Sequence, residues 1–230
     1  MNPPRARAVF FVDGNNWYHS LRELGLPDIG RLNYARIFDK LAGPARDWVE
    51  ARYYIPDVGV MGDPELLRSQ REFLQQLLAQ DSRIRVRQGR LEERTSRNRA
   101  ATELLQYLAE LKVKIDTTVY ADLVALGRAH REVRVFVEKA VDVQIAVDMV
   151  QLAASGGLDV AYLLSADGDY TPAAEAVRGH GRKIFSATPA PCAKLAAAVD
   201  RHIPLRREWF ADCYRGGPPT EWMASGSRHR

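Results

Sequence analysis

Two short apolar runs, far apart in the chain, each end in an acidic turn, and this pairing constrains the fold more than any other feature. Ala8-Val9-Phe10-Phe11-Val12 leads into Asp13-Gly14-Asn15-Asn16, and Val160-Ala161-Tyr162-Leu163-Leu164 leads into Ser165-Ala166-Asp167-Gly168-Asp169. A brief, unbroken apolar run closed by a turn reads as a strand buried on both faces, as in a parallel sheet. In open α/β sheets, ligands sit beyond the carboxyl ends of the strands. Asp13, Asp167 and Asp169 are therefore expected on one rim. Clustered carboxylates repel unless they are protonated or bind a cation. A hard divalent metal is the simplest resolution.

A fourth acid joins them. Residues 139–154 read as an apolar helix whose polar residues Gln144, Asp148 and Gln151 share one stripe. At 3.6 residues per turn, Asp142 falls off that stripe and is expected to point with Ile145, Ala146, Met149 and Ala153 towards the core. A first-turn acid also benefits from the partial positive charge of the helix N-terminus. Asp148 is expected to be solvated or hydrogen-bonded at the surface.

Between these landmarks strands alternate with helices, which implies a mostly parallel sheet with right-handed crossovers. Helices are expected over 16–24, 34–41, 64–80, 100–111, 117–129, 171–178 and 195–199. Strands are expected over 49–55, 83–87, 160–164 and 183–186, with marginal candidates at 133–137 and 202–205. The expectation is one α/β domain over 1–215, with a central sheet of five or six strands flanked by helices. Residues 88–137, polar and Arg-rich at their start, are an elaboration on it. The Gly-, Pro- and Ser-rich stretch 216–230 is expected to be disordered.

Composition narrows the function classes. In 230 residues, Lys and Arg (33) exceed Asp and Glu (29) by four, and the pI is about 9.1. That suits a polyanionic partner without requiring one. Cys192 and Cys213 form no Cys-x-x-Cys pair, so neither zinc nor a disulfide framework is suggested. No stretch approaches the ~18 apolar residues of a membrane helix, and the expected setting is the cytoplasm.

Taken together, Asp13-Gly14-Asn15-Asn16, Lys139-Ala140-Val141-Asp142 and Ser165-Ala166-Asp167-Gly168-Asp169-Tyr170 resemble the NYN family of PIN-like nucleases, in particular its LabA-like (DUF88) branch. The resemblance spans about residues 1–205 and is weakest over 88–137. Family members often carry Gly where this chain has Ala140 and Ala166. The resemblance implies a three-layer, Rossmannoid PIN-like fold and metal-dependent hydrolysis of RNA. It implies Asp13, Asp142, Asp167 and Asp169 as metal-binding catalytic acids, with Mg²⁺ or Mn²⁺ as cofactor and Asn16 as a polar partner in the first turn.

Other residues carry two readings each. Arg83, Arg85, Arg87, Arg90, Arg94, Arg97 and Arg99 would track phosphates, or would guard an edge strand that runs into a polar loop. Arg85, Arg87 and Arg90 join Asn16 and Ser165 as candidate substrate contacts. Trp17 and Tyr18 would stack on bases or pack into the core. The exposed strands at 83–87 and 133–137 offer edges for pairing in a homodimer. A haloacid-dehalogenase type of phosphatase is disfavoured, because Asn15 stands where its general acid would be. A PIN-like module that binds RNA without cutting it is the non-enzymatic rival.

Overall fold

The computed structural model describes residues 4–111, 113–190 and 192–219, and a seven-stranded sheet is its framework. The strands are β1 (Ala6–Asp13), β2 (Arg46–Pro56), β3 (Ile84–Arg97), β4 (Glu132–Lys139), β5 (Val160–Leu164), β6 (Lys183–Thr188) and β7 (Arg201–Pro204). Their order is β4-β3-β2-β1-β5-β6-β7. Every neighbouring pair is parallel except β3 with β4. Five or six strands is too few because both marginal candidates pair into the sheet.

Helices cover both faces. On one lie α1 (Gly14–Glu23), α2 (Tyr34–Ala42) and α3 (Pro64–Leu78); on the other lie α6 (Val141–Ala154), α7 (Thr171–Gly179) and α8 (Ala193–Ala198). Alternation along β1 feeds the two cores. Phe10 stacks between Phe38 at 4.6 Å and Tyr162 at 4.5 Å, while Val9 and Phe11 pack under α6 and α7. Truncating Phe10 to alanine at such a site costs about 3–5 kcal/mol. The helix starts are set locally: Asp13, Asn33, Asp63, Asn98 and Asp116 each accept a backbone N–H as N-cap. In α3, only Leu77 and Gln70 are fully buried, and Leu66 and Leu78 stay exposed, because the helix covers just the margin of the sheet at β3.

The Arg-rich stretch differs most from expectation. It is no loop: β3 continues to Arg97. Residues 84–89 pair with β2, and residues 90–97 pair antiparallel with β4. The change of partner falls at Gly89, where an added Cβ would lie 2.3 Å from Val141 Cγ2. The ribbon carries α4 (Arg99–Glu110) and α5 (Thr117–Ala129), which pack on each other as an arm. Residues 84–139 hold 12 Lys and Arg against 8 Asp and Glu. That excess of four equals the whole chain's, so the rest of the molecule is balanced.

Both cysteines are free thiols. Among the described residues, no helix is long and apolar enough to cross a membrane. The tail expected from 216 lies outside the described residues from 220 onward.

Candidate functional site

The chain runs β1 to β2 to β3 in one direction, then returns to place β5 on the other side of β1. The crevice beyond the carboxyl ends of β1 and β5 is thus the topological switch point, where open α/β sheets bind ligands. The two acidic turns border that crevice.

Asp13 is the hub. It ends β1, and its Oδ1 caps α1 by accepting the Asn16 N–H at 3.1 Å. Its Oδ2 accepts from Ser165 Oγ at 3.1 Å and from the Tyr170 hydroxyl at 3.1 Å. The side chain is almost enclosed, with Asp13 4% exposed. The strand turns directly into the helix at Gly14. A Cβ there would lie 2.5 Å from the Tyr54 carbonyl and 2.7 Å from the Tyr53 ring, so only glycine fits.

Asn16 joins the two acidic turns, its Oδ1 accepting the Ala166 N–H at 2.9 Å. Ser165 Oγ accepts the Asp167 N–H at 3.1 Å while donating to Asp13. Asp167 in turn caps the next turn through the Asp169 N–H at 2.8 Å. Asp169 is exposed.

The Tyr170 hydroxyl also lies 2.9 Å from Asp142 Oδ1, so one phenol bridges two carboxylates that are far apart in the sequence. It has a single proton and two acidic acceptors. One contact is therefore unsatisfied unless Asp13 keeps a proton or a cation enters. Burial, followed by the Asp142 charge, raises the Asp13 carboxyl above its ordinary range. Burial and the same two acids drive the Tyr170 phenol far up.

Sequence reasoning missed Tyr170, which reads as core, and Glu138. The Asn15 amide holds Glu138 at the end of β4 by donating to its Oε2. Burial, then Asp13 and Asp142, raise the Glu138 carboxyl. Its place in the charged end of the strand-like run 132–139 gave no signal of this.

One placement corrects the helical reading, and Asp148 has the hydrogen-bonded role expected of it. The buried stripe of α6 is Val141, Ile145, Met149 and Ala153, so Asp142 is exposed at its margin rather than core-facing. Asp148 accepts from the Tyr54 hydroxyl at 2.6 Å and pairs with Arg52 at 2.8 Å. Trp17 is buried against Phe210, whereas Tyr18 is exposed. Arg85 bonds its own loop through the Ser82 carbonyl, Arg87 borders a cleft with Gln144 and Asp148, and Arg90 stands opposite Lys139 at the foot of the arm.

Among the described residues, no three His, Cys, Asp or Glu groups converge as a ready ligand set. The donor set is nevertheless oxygen-only, which suits Mg²⁺ or Mn²⁺. Mg²⁺ commonly takes one or two carboxylates and fills its shell with waters and substrate phosphate. Asp13 and Asp142, spanned by one phenol, fit that mode.

The family described as the NYN domain matches residues 118–206. The match runs from α5 past β7, and includes Asp142, Asp167 and Asp169 but not Asp13. No curated protein matches the sequence significantly. Among solved structures, a protein of unknown function from Vibrio parahaemolyticus is 16% identical, with 90% of this chain and 98% of that one covered and a TM-score of 0.54. That likeness is one of fold, a three-layer α/β arrangement.

Proposed function

We propose, from the premise that this chain carries an NYN domain, that it hydrolyses RNA phosphodiester bonds with the help of a divalent metal. The family is generally one of nucleases, and RNA as substrate rests on that membership. The observation that carries the reading is the Tyr170 hydroxyl set between Asp13 and Asp142 at the switch point.

Asp13 and Asp142 would hold Mg²⁺ or Mn²⁺, with Asp167, Asp169 and Glu138 adding negative charge around it. When bound, such an ion offsets charge on the phosphate and lowers the pKa of a water. The chain's own residues prepare the place. Ser165 and the Asn16 N–H orient the Asp13 carboxylate, and Tyr170 fixes its spacing from Asp142. Asn16 locks the two turns together through the Ala166 N–H. The net charge of the arm draws a polyanion towards the rim, where Arg87 and Arg90 would meet phosphates.

A second reading, an RNA-binding module that does not cut, is favoured by the absence of a preassembled three-ligand set among the described residues. One assay separates the two. Labelled RNA is incubated with the wild type and with Asp142→Asn, in Mg²⁺, Mn²⁺ or EDTA, beside single-stranded DNA. Cleavage that needs metal and Asp142 supports the nuclease. Binding without cleavage under all conditions supports the module. Faster cleavage of the DNA would overturn RNA as the substrate.

A further inference from the structure

A cavity of 330 Å³ lies on the far side of the β1–α1 turn from the acids, and Gly14 and Asn15, the residues after Asp13, form one end of it. Its walls combine aromatic rings with the aliphatic side chains of Ile29, Ile55, Val58 and Leu66. Tyr34, Tyr53 and Phe73 meet edge to face, with ring centroids 5.5–6.2 Å apart. Tyr18, 44% exposed, stands among the residues lining it. One polar group reaches in from α3. The Gln70 amide nitrogen is committed to the Pro56 carbonyl at 2.7 Å, but its Oε1 receives only a long 3.4 Å contact from the Val58 N–H. Gln70 is 8% exposed, so that oxygen has acceptor capacity and little water to use it.

We infer that this cavity is a nucleobase subsite, taking one unstacked base of the strand whose phosphate lies at the acids. The inference rests on reading the rim as a nucleic-acid site. Its volume is at the small end of ligand pockets, which suits one planar group rather than a peptide segment. Flat aromatic walls offer stacking, which every base can use. The Gln70 oxygen can accept from a base's amino or imino N–H. Gly14 and Asn15 line the cavity and directly follow Asp13, and the Asn15 amide donates to Glu138, so one turn joins the cavity to the acids and a strand crossing that turn would reach both. A free apolar side chain would gain nothing from the neighbouring acids or from the positive arm.

The test uses the full chain, short fluorescent RNAs and two variants outside the acid rim. Gly30→Leu adds bulk at the cavity's wall: Gly30 lines it, an added Cβ there meets nothing within 4 Å, and its backbone is not left-handed. Tyr18→Ala removes the exposed ring. Binding is read by anisotropy in EDTA and in Ca²⁺, with an abasic site moved along the RNA one position at a time. We expect one position where losing the base weakens binding about tenfold, the scale of a single stacked base. Gly30→Leu should abolish that position dependence, and Tyr18→Ala should reduce it. A flat response along the RNA, an unchanged response in Gly30→Leu, or no RNA binding at all would each overturn the subsite. Parallel cleavage in Mg²⁺ separates the two readings. Cleavage with a flat response sinks the subsite alone, and a position-dependent response without cleavage sinks the nuclease alone.

Discussion

Ala140 immediately precedes α6 with φ +73° and ψ −8°, a left-handed conformation, and has no capping side chain. An L residue in that region carries a penalty of ~1–2 kcal/mol, because Cβ crowds the following carbonyl. Glycine carries none, but it loses ~0.5–1 kcal/mol more chain entropy on folding. Ala140 is exposed, so its methyl gives up little packing, and the Gln144 N–H still reaches the 140 carbonyl at 2.8 Å. Ala140→Gly should therefore stabilise the protein by about 0.5–1 kcal/mol. For a chain of this size that raises Tm by roughly 1–4 °C. The control is Ala125→Gly, the same change at an exposed position inside α5, which should lose about 1 kcal/mol. Thermal melts in EDTA and urea titrations with unchanged m-values check both. If Ala140→Gly melts at or below the wild-type temperature, the backbone at 140 is not held as described.

Asp13→Asn should abolish cleavage yet keep the fold, since asparagine caps helices as well as aspartate does. The folded-state pKa of Asp13 is raised, so the stability that its protonated form contributes is present at low pH and lost as pH rises through that value. The melting advantage of the variant in EDTA should thus grow from about pH 4 towards neutrality, and a constant gap would contradict the buried, raised carboxyl. Asp142→Asn should lose activity with an unchanged or higher Tm, because it removes clustered charge. Asp148→Asn should do the opposite, losing about 1–3 kcal/mol through the Arg52 and Tyr54 partners while still cutting at permissive temperature. A folded but dead Asp148→Asn would show that this acid belongs to the chemistry. Tyr170→Phe removes a hydrogen bond that lowers the Asp13 pKa. It should cut kcat at least tenfold and shift the acid limb of the pH–rate profile upward; an unmoved limb would mean that the phenol does not tune Asp13.

The sequence was most readable where local rules act alone. The strand at 160–164 and the helix at 117–129 have the expected limits because apolar runs, caps and glycines mark them. Asp13, Asp142 and the second acidic turn stand out because an acid at the end of a buried strand or the start of an apolar helix is conspicuous. Reading failed where a partner distant in the sequence decides. Residues 90–97 have no apolar alternation and become a strand only because β4 returns to pair with them. Glu138 reaches the site by the same return. The direction of the Tyr170 hydroxyl depends on how α6 and β5 meet, which no spacing rule reports. The face of Asp142 was misjudged for a related reason: Val141 leads the buried stripe, and one residue is a 100° rotation.

The way this chain treats its acids argues for the rim as a place meant for something positive. Several acids that tie distant parts of the fold together have a cation built in beside them. Asp159 is held by Arg7 and Arg182, Asp212 by Arg36 and Lys40, and Asp148 by Arg52. Those partners push Asp159 down, and Asp212 down to about 2. The rim is built differently. Asp13, Asp142 and Glu138 take their hydrogen bonds from a serine, a tyrosine, an asparagine and a backbone N–H, all neutral. Neutral donors orient a carboxylate without cancelling its charge, so the burial and, after it, the mutual repulsion that lift Asp13 and Glu138 are left in place. An arginine there would stabilise the fold and occupy the cation's position. Leaving it out is a cost in stability that a bound cation offsets without giving up the carboxylates' charge, which is why site and stability should respond in opposite directions when Asp13 or Asp142 is neutralised.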